Sequence, residues 1–338
     1  MTKPAVPFVV LTRGPLAECV HRGHLAATDA DGCVVASAGD PAFVTFARSA
    51  AKLLQAVAVV ASGAAERFAL TDDEIALLCA SHSGEEAHVA TARRILDKIG
   101  ADASQLRCGA HAPYHKPSAA ALKRAGAEPE PLHNNCSGKH AGMLAFAKQL
   151  NAALDDYPRP EHPVQRAMLA AFAALAGVRV EDVALGTDGC GVPVYGVPLA
   201  ALATAYAKLG EPDRAGELAD ACRTVVRAVA SHPDMIAGTD RFDTALVRAT
   251  GGRLIGKMGA EGVFAVANAD AGLGLALKIE DGAQRALYPA VTEALVQLGW
   301  IDEPALSELA AFRAPPIRNW SGDEVGRTVP VLKLERAE

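Results

Sequence analysis

The chain has 338 residues, half of them hydrophobic and a fifth charged, with 33 Lys and Arg against 39 Asp and Glu for a formal net charge of −6. At about 150 residues per domain that length makes one large domain or two intimate ones, and the composition excludes a disordered chain. The acidic balance, with no basic run, argues against a phosphate-backbone partner, so no nucleic acid is expected.

The opening stretch MTKPAVPFVVLTRG is cut by Arg13 after a few apolar residues and carries no small-residue cleavage site, so a cytoplasmic protein is expected. Phe8 to Thr12 and Val34 to Ala38 are apolar runs with β-branched residues, Glu18 to Ala27 is a weaker strand, and Asp29 to Gly32 is a turn, which together make a meander. Helices follow over Ser49 to Ser62, from the capping-box pattern Thr71-x-x-Glu74 toward Ala80, and over Glu86 to Ile99, ended by Gly100. The apolar stretch Leu53 to Ala65 falls short of the roughly 20 residues a bilayer span needs, so no membrane is expected. Further helical windows are Ser118 to Arg124, Lys139 to Leu150, Val164 to Ala176, Leu199 to Leu209, Asp213 to Ala230 and Asp243 to Ala249. Val263 to Asn268 and Leu273 to Ile279 read as strands around the turn Ala269 to Gly272, then a helix over Ala283 to Leu298 and an extended tail from Phe312 packed on the body. Strands at both ends predict an α/β fold of α+β sandwich type, with one sheet built from N- and C-terminal strands. A helical block of about residues 49–250 is inserted between them, all within one domain over 1–338.

Arg48-Ser49-Ala50-Ala51-Lys52 holds a Ser-x-x-Lys at a helix start, a spacing that puts hydroxyl and amine on one face a turn apart. A lysine serves as base for serine only when neutral, which asks for burial or a neighbouring cation. Ala80 to Glu85 is a small-residue cluster in which Ser83 suits a capping box with Glu86, leaving Ser81 the freer hydroxyl. Gly256-Lys257-Met258-Gly259 precedes the C-terminal hairpin; it is a solvated turn, or a place where lysine approaches a substrate closely.

Asn134 to His140 and Thr187 to Pro193 are the densest polar segments, and seven cysteines, an odd number, read as reduced thiols or metal ligands rather than disulfides. Cys136 and Cys190, with a nitrogen from Lys139 or His140, make a three-ligand zinc site with an open fourth position; buried as small apolar side chains they would be structural. Asp188 suits a substrate ammonium or a cap for turn amides. Phosphate-loop, dinucleotide, zincin and nucleophile-elbow motifs are all missing, which removes support from those enzyme classes.

Taken together, Arg48-Ser49-Ala-Ala-Lys52, Ser81-His-Ser-Gly-Glu85, Asn135-Cys136-Ser-Gly-Lys139-His140, Asp188-Gly-Cys190-Gly-Val-Pro193 and Lys257-Met-Gly259 resemble the Rhizobium-type, inducible, thermolabile L-asparaginases, in the family order. The resemblance implies a fold like serine β-lactamases and glutaminases, Ser49 as nucleophile with Lys52 as its base, and Ser81 with Lys257 as a second Ser-Lys pair. It also implies Zn2+ held by Cys136, Lys139 and Cys190, with His140 the chemically ordinary alternative to Lys139. Arg48, Asn135, His140 and Asp188 are expected to bind the substrate L-asparagine, in a homodimer. The alternatives are a glutaminase or another cytosolic Ser-x-x-Lys amidohydrolase, since one methylene is worth only about 1–3 kcal/mol of discrimination, and a non-enzymatic zinc-binding scaffold or sensor.

Overall fold

A computed structural model describes residues 3–337; residues 1, 2 and 338, the extreme ends of the expected domain, lie outside the described residues. The chain divides into two bodies, one formed by the residues up to Ala50, Val197–Glu211 and the residues from Ala245, the other by Ala51–Gly196 and Pro212–Thr244.

The first body is built on an antiparallel sheet. Across it lie, in order, Pro316–Arg318, Glu324–Pro330, Val6–Arg13, Leu16–Asp29, Leu273–Ile279, Val263–Asn268 and Leu254–Gly259, while Val34–Ala38 also pairs with Leu16–Asp29. The two ends of the chain meet where residues 23–29 run against Leu273–Ile279, the junction the sequence predicts. Both faces of this junction are covered, so Val263–Asn268 is buried at every position and reads as a continuous apolar run. On one face lies helix Leu199–Gly210, so close that a Cβ on Gly274 would overlap Ala203 O. On the other, Phe264, placed beside Leu277 by the register, meets Tyr288 of helix Gln284–Leu298 with ring centroids 6.3 Å apart. The result is the expected α/β sandwich.

Two sequence expectations are corrected here. The tail is not a bare extended segment but a hairpin, Pro316–Arg318 against Glu324–Pro330. Gly256 to Gly259 is not a turn but part of strand Leu254–Gly259. Its glycines serve close approach: a Cβ on Gly256 would sit 2.8 Å from the Phe264 ring, and one on Gly259 would sit 2.7 Å from Ala47 O.

The second body is helical, with Lys52–Ala61, Asp72–Leu78, Glu86–Ile99, Ser137–Gln149, Pro163–Ala176 and Ala219–Ser231 as its main elements and a hairpin pairing Ala184–Thr187 with residues 193–196. The Thr71 capping box and the left-handed Gly100 end their helices as expected. Glu85, rather than Ser83, caps Glu86–Ile99, boxed with His88. The window Asp213 to Ala230 breaks into a 3-10 turn and a helix, because Gly216 at φ 58° leaves helical geometry. Residues 52–59 and 137–147 are buried throughout. Small residues permit this packing: a Cβ on Gly138 would collide with Leu77 O, and one on Gly142 would lie 2.9 Å from Leu78 Cδ2. Among the described residues no helix is long and apolar enough to cross a membrane.

Candidate active site

Lys52, 1% exposed, opens its helix inside the second body. Its Nζ donates to Ala80 O at 2.6 Å, Ser81 Oγ at 3.0 Å, Cys136 Sγ at 3.1 Å and Asn135 O at 3.5 Å. The two carbonyls only accept, whereas the hydroxyl and the thiol that also take Nζ hydrogens can each respond to a proton moving. Ser81 is buried just beyond helix Asp72–Leu78, and its N–H is fixed on Ile236 O at 3.0 Å, with Ser83 N–H on Ala237 O at 2.8 Å.

The thiols come from two tight turns. Asn134 Oδ1 accepts Cys136 N–H at 2.8 Å at the start of helix Ser137–Gln149, and one turn later Lys139 Nζ reaches Cys190 Sγ at 2.9 Å. Cys190 sits in the hairpin turn closed by Asp188 N–H on Val192 O and by Gly191, whose φ of 86° suits only glycine. Asp188 Oδ1 accepts Gly189 N–H, the capping role open to such an aspartate.

The hydrogen bond from Cys136, working against burial and joined by the Lys139 charge, lowers Cys190 to about 4 and keeps it a thiolate. The same bond to Cys190, followed by burial, pushes Cys136 up to about 12. Burial works against the Lys139 charge, but the attraction of Cys190 and Cys136 outweighs it and raises its pKa. Lys52, Cys136, Cys190 and Lys139 thus form one hydrogen-bonded chain of nitrogen and sulfur. His140 is held neutral, first by burial and then by Lys139, at about 3. Tyr157 Oη accepts Arg107 N–H at 2.8 Å, and among the described residues its O–H finds no acceptor other than His140 Nδ1, at 2.6 Å. Nε2 of His140 therefore carries the ring hydrogen, as a buried donor with no partner among the described residues.

Arg48, Ser49 and Lys257 belong to the first body. Turn Arg48–Ala51 is held by Tyr206 O–H on Ala50 O at 2.7 Å, and Arg48 takes a left-handed φ of 50°, unusual for a side chain of this size. Gly259 lies against Ala47 O and Arg48 Cβ, which brings the end of the Lys257 strand onto this turn. Lys257 is fully buried, with Nζ donating to Met258 O at 3.1 Å.

For a metal, two thiols with a neighbouring nitrogen form a zinc-type donor set. Among the described residues no three His, Cys, Asp or Glu side chains form a metal-holding group. His140, with Nδ1 accepting from tyrosine and hydrogen on Nε2, is not poised as a ligand, whereas Lys139 already touches Cys190. The donors fit zinc once Lys139 loses its proton to solvent, freeing the nitrogen lone pair for the metal.

Sequence reasoning missed His82, Asn134 and Tyr157. His82 stands between two serines in the small-residue cluster, and Asn134 opens the polar segment that runs to His140, its side chain turning back on Cys136 N–H two residues on; only Tyr157 carries no local signal, because its partners are set by the fold.

The chain matches the model of the family described as L-asparaginase II over residues 9–330. It belongs to the L-asparaginase II family. Family membership makes the chain an amidohydrolase, in line with the motif resemblance. A search of curated proteins gives no significant match. Twelve solved chains match, among them a β-lactamase from Mycobacterium bovis, 16% identical, with a TM-score of 0.44 over 82% of this chain and 94% of that one. A superposition this loose carries no chemistry across.

Proposed function

We propose that this L-asparaginase II family member is a Rhizobium-type, zinc-containing enzyme that hydrolyses L-asparagine to L-aspartate and ammonia through a serine acyl-enzyme. The observation that carries the reading is the seat of Lys52, a buried lysine held 3.0 Å from the Ser81 hydroxyl and three residues along the chain from Ser49. Ser49 Oγ attacks the side-chain amide carbon while its proton passes to Lys52. The C–N bond breaks as a proton reaches the amide nitrogen, relayed by Ser81 and Lys257, and ammonia departs. Water then cleaves the β-aspartyl ester and a proton returns to Ser49. Arg48 and Asp188 match the substrate α-carboxylate and α-ammonium, Asn135 adds a polar contact, and His140 Nε2–H offers a donor to a substrate oxygen. Zn2+ would be held by Cys136, Lys139 and Cys190, and when bound supplies a fixed positive charge that orients the substrate. The fold is taken as serine β-lactamase and glutaminase-like, and the enzyme as a cytoplasmic homodimer in which the whole chain acts as one domain.

Ammonia release from L-asparagine and L-glutamine, measured side by side, tests the reading. Asparagine is expected to be the better substrate, and Ser49→Ala to retain less than a few per cent of the rate with unchanged circular dichroism. A preference for glutamine makes the protein a glutaminase. Substantial Ser49→Ala turnover moves the nucleophile to Ser81, and no release with no labelling by a serine-directed probe leaves a zinc-binding scaffold.

A further inference from the structure

Lys52 is clasped between two separate segments of the second body. Ala80 O and Ser81 Oγ come from one, Asn135 O and Cys136 Sγ from the other. The distance between the segments therefore decides whether all four acceptors converge on Nζ. Two ties set it. Gly138 lies on Leu77 with no room for a Cβ, and the His82 ring bridges to Ser137 Oγ, Nε2 to oxygen at 2.8 Å.

The His82 ring admits one hydrogen arrangement. Gly84 N–H donates to Nδ1 at 3.1 Å, so Nε2 carries the hydrogen and donates to Ser137 Oγ. Both residues are fully buried. His88 stacks on the ring at a centroid distance of 5.0 Å, and is itself locked by Glu85 N–H on Nδ1 and by Asp234 O on Nε2. The loop is pinned from its other side, where Thr239 N–H and Oγ1 grip the Glu85 carboxylate at 2.7 and 3.1 Å. No step of the proposed mechanism uses His82.

We propose that His82 is a positioning residue for the reaction: its bridge to Ser137 fixes the Ser81 segment against the Cys136 segment, and so keeps Lys52 Nζ within reach of Ser81 Oγ. This rests on the reading of Lys52 and Ser81 as proton-handling groups. Misplacement by about 1 Å costs up to roughly a hundredfold in rate, and such a loss falls on kcat when substrate contacts are untouched.

The test uses full-length, zinc-loaded protein. His82→Asn keeps an acceptor for Gly84 N–H but falls short of Ser137; His82→Gln keeps the reach; Ser137→Ala removes one atom and spares the fold. His82→Asn and Ser137→Ala are each expected to lower kcat for L-asparagine by about tenfold to a hundredfold with KM within about twofold. The double variant should fall no further than the worse single, because both break one bridge, and His82→Gln should recover part of the rate. Nitrogen-15 spectra of labelled histidine should show the Nε2–H form, shifted in Ser137→Ala. A folded Ser137→Ala protein with unchanged kcat, additive losses, or a rise in KM alone overturns the proposal. Should the wild type release no ammonia, the asparaginase reading fails. The bridge is then judged by acylation with a fluorophosphonate: slower labelling of Ser137→Ala supports it, and equal labelling overturns it.

Discussion

Each body buries lysines, and one from each is satisfied in a way opposite to the other. Lys278, in the first, places Nζ on three backbone carbonyls, Glu261 O at 2.5 Å, Ile279 O at 2.6 Å and Glu280 O at 3.4 Å. Lys52, in the second, adds a hydroxyl and a thiol to its carbonyls. A carbonyl holds a proton in place but cannot pass it on; hydroxyls and thiols can do both. Burial of a cation therefore does not mark a site, and the chemistry of its partners does. A third buried lysine shows the same dependence on partners: burial lowers Lys278, with nearby acids opposing, whereas the thiolate of Cys190 turns the balance upward for the more deeply buried Lys139.

The sharpest way to break this comparison is to remove each lysine. Lys52→Met is expected to cut ammonia release to a few per cent or less while the protein stays folded. Lys278→Met should leave kcat within about twofold and instead lower stability by about 1–3 kcal/mol, the cost of buried acceptors left without a donor, read by urea unfolding. A stable but inactive Lys278→Met protein would end the distinction.

Sulfur provides the next contrast. Wild-type protein is expected to carry about one zinc per chain by elemental analysis, and Cys136→Ser or Cys190→Ser to lose most of it. Cys33→Ser, an exposed thiol of the first body, should retain it. Full occupancy in Cys136→Ser would remove the pair as ligands.

Elements governed by neighbours along the chain were legible in the sequence, as in helix Glu86–Ile99, stopped by Gly100, and in the pairing strands whose apolar runs match their burial. Glycines were not, because the same residue type makes a turn or allows close approach; only the Phe264 ring and Ala47 O show that Gly256 and Gly259 do the latter. Candidate site residues could be named from motifs, but the contacts that hold them could not. The choice between Lys139 and His140 beside the thiols depends on Tyr157, and the bridge from His82 reaches a serine 55 residues away.

Close approach itself differs between the bodies in what it supports. Gly274→Ala would drive a Cβ into the backbone of helix Leu199–Gly210, and Gly138→Ala would drive one into Leu77 O. Because both obstacles are backbone, each substitution is expected to cost about 1–3 kcal/mol. Gly138→Ala should in addition lower kcat, since it parts the segments around Lys52, whereas Gly274→Ala should not. Equal kcat in the two variants, at matched temperature below both melting points, would show that the spacing at Leu77 is immaterial to turnover.

The smallest expected effect is an acid sensitivity that separates the bodies. Burial lowers the pKa of His24 in the first, with the charges of Glu280 and Asp40 opposing the shift. In the second, burial lowers His88 against the opposing Asp234 and Glu85, and takes His82 well below its ordinary value, because at His82 the His88 and Lys52 charges add to burial rather than oppose it. A histidine whose folded pKa is depressed contributes in full above its unfolded value near 6.5; as pH falls below that, the unfolded chain binds protons the folded one does not, and stability drops. Between pH 7 and 6 the loss is at most about 0.7 kcal/mol per fully depressed histidine. Amide hydrogen exchange, corrected for its intrinsic pH dependence, is expected to show residues 81–88 losing more protection over that interval than residues 23–29. Equal losses in the two segments would mean that the opposing acids around His24 do not distinguish the sheet from the helical body.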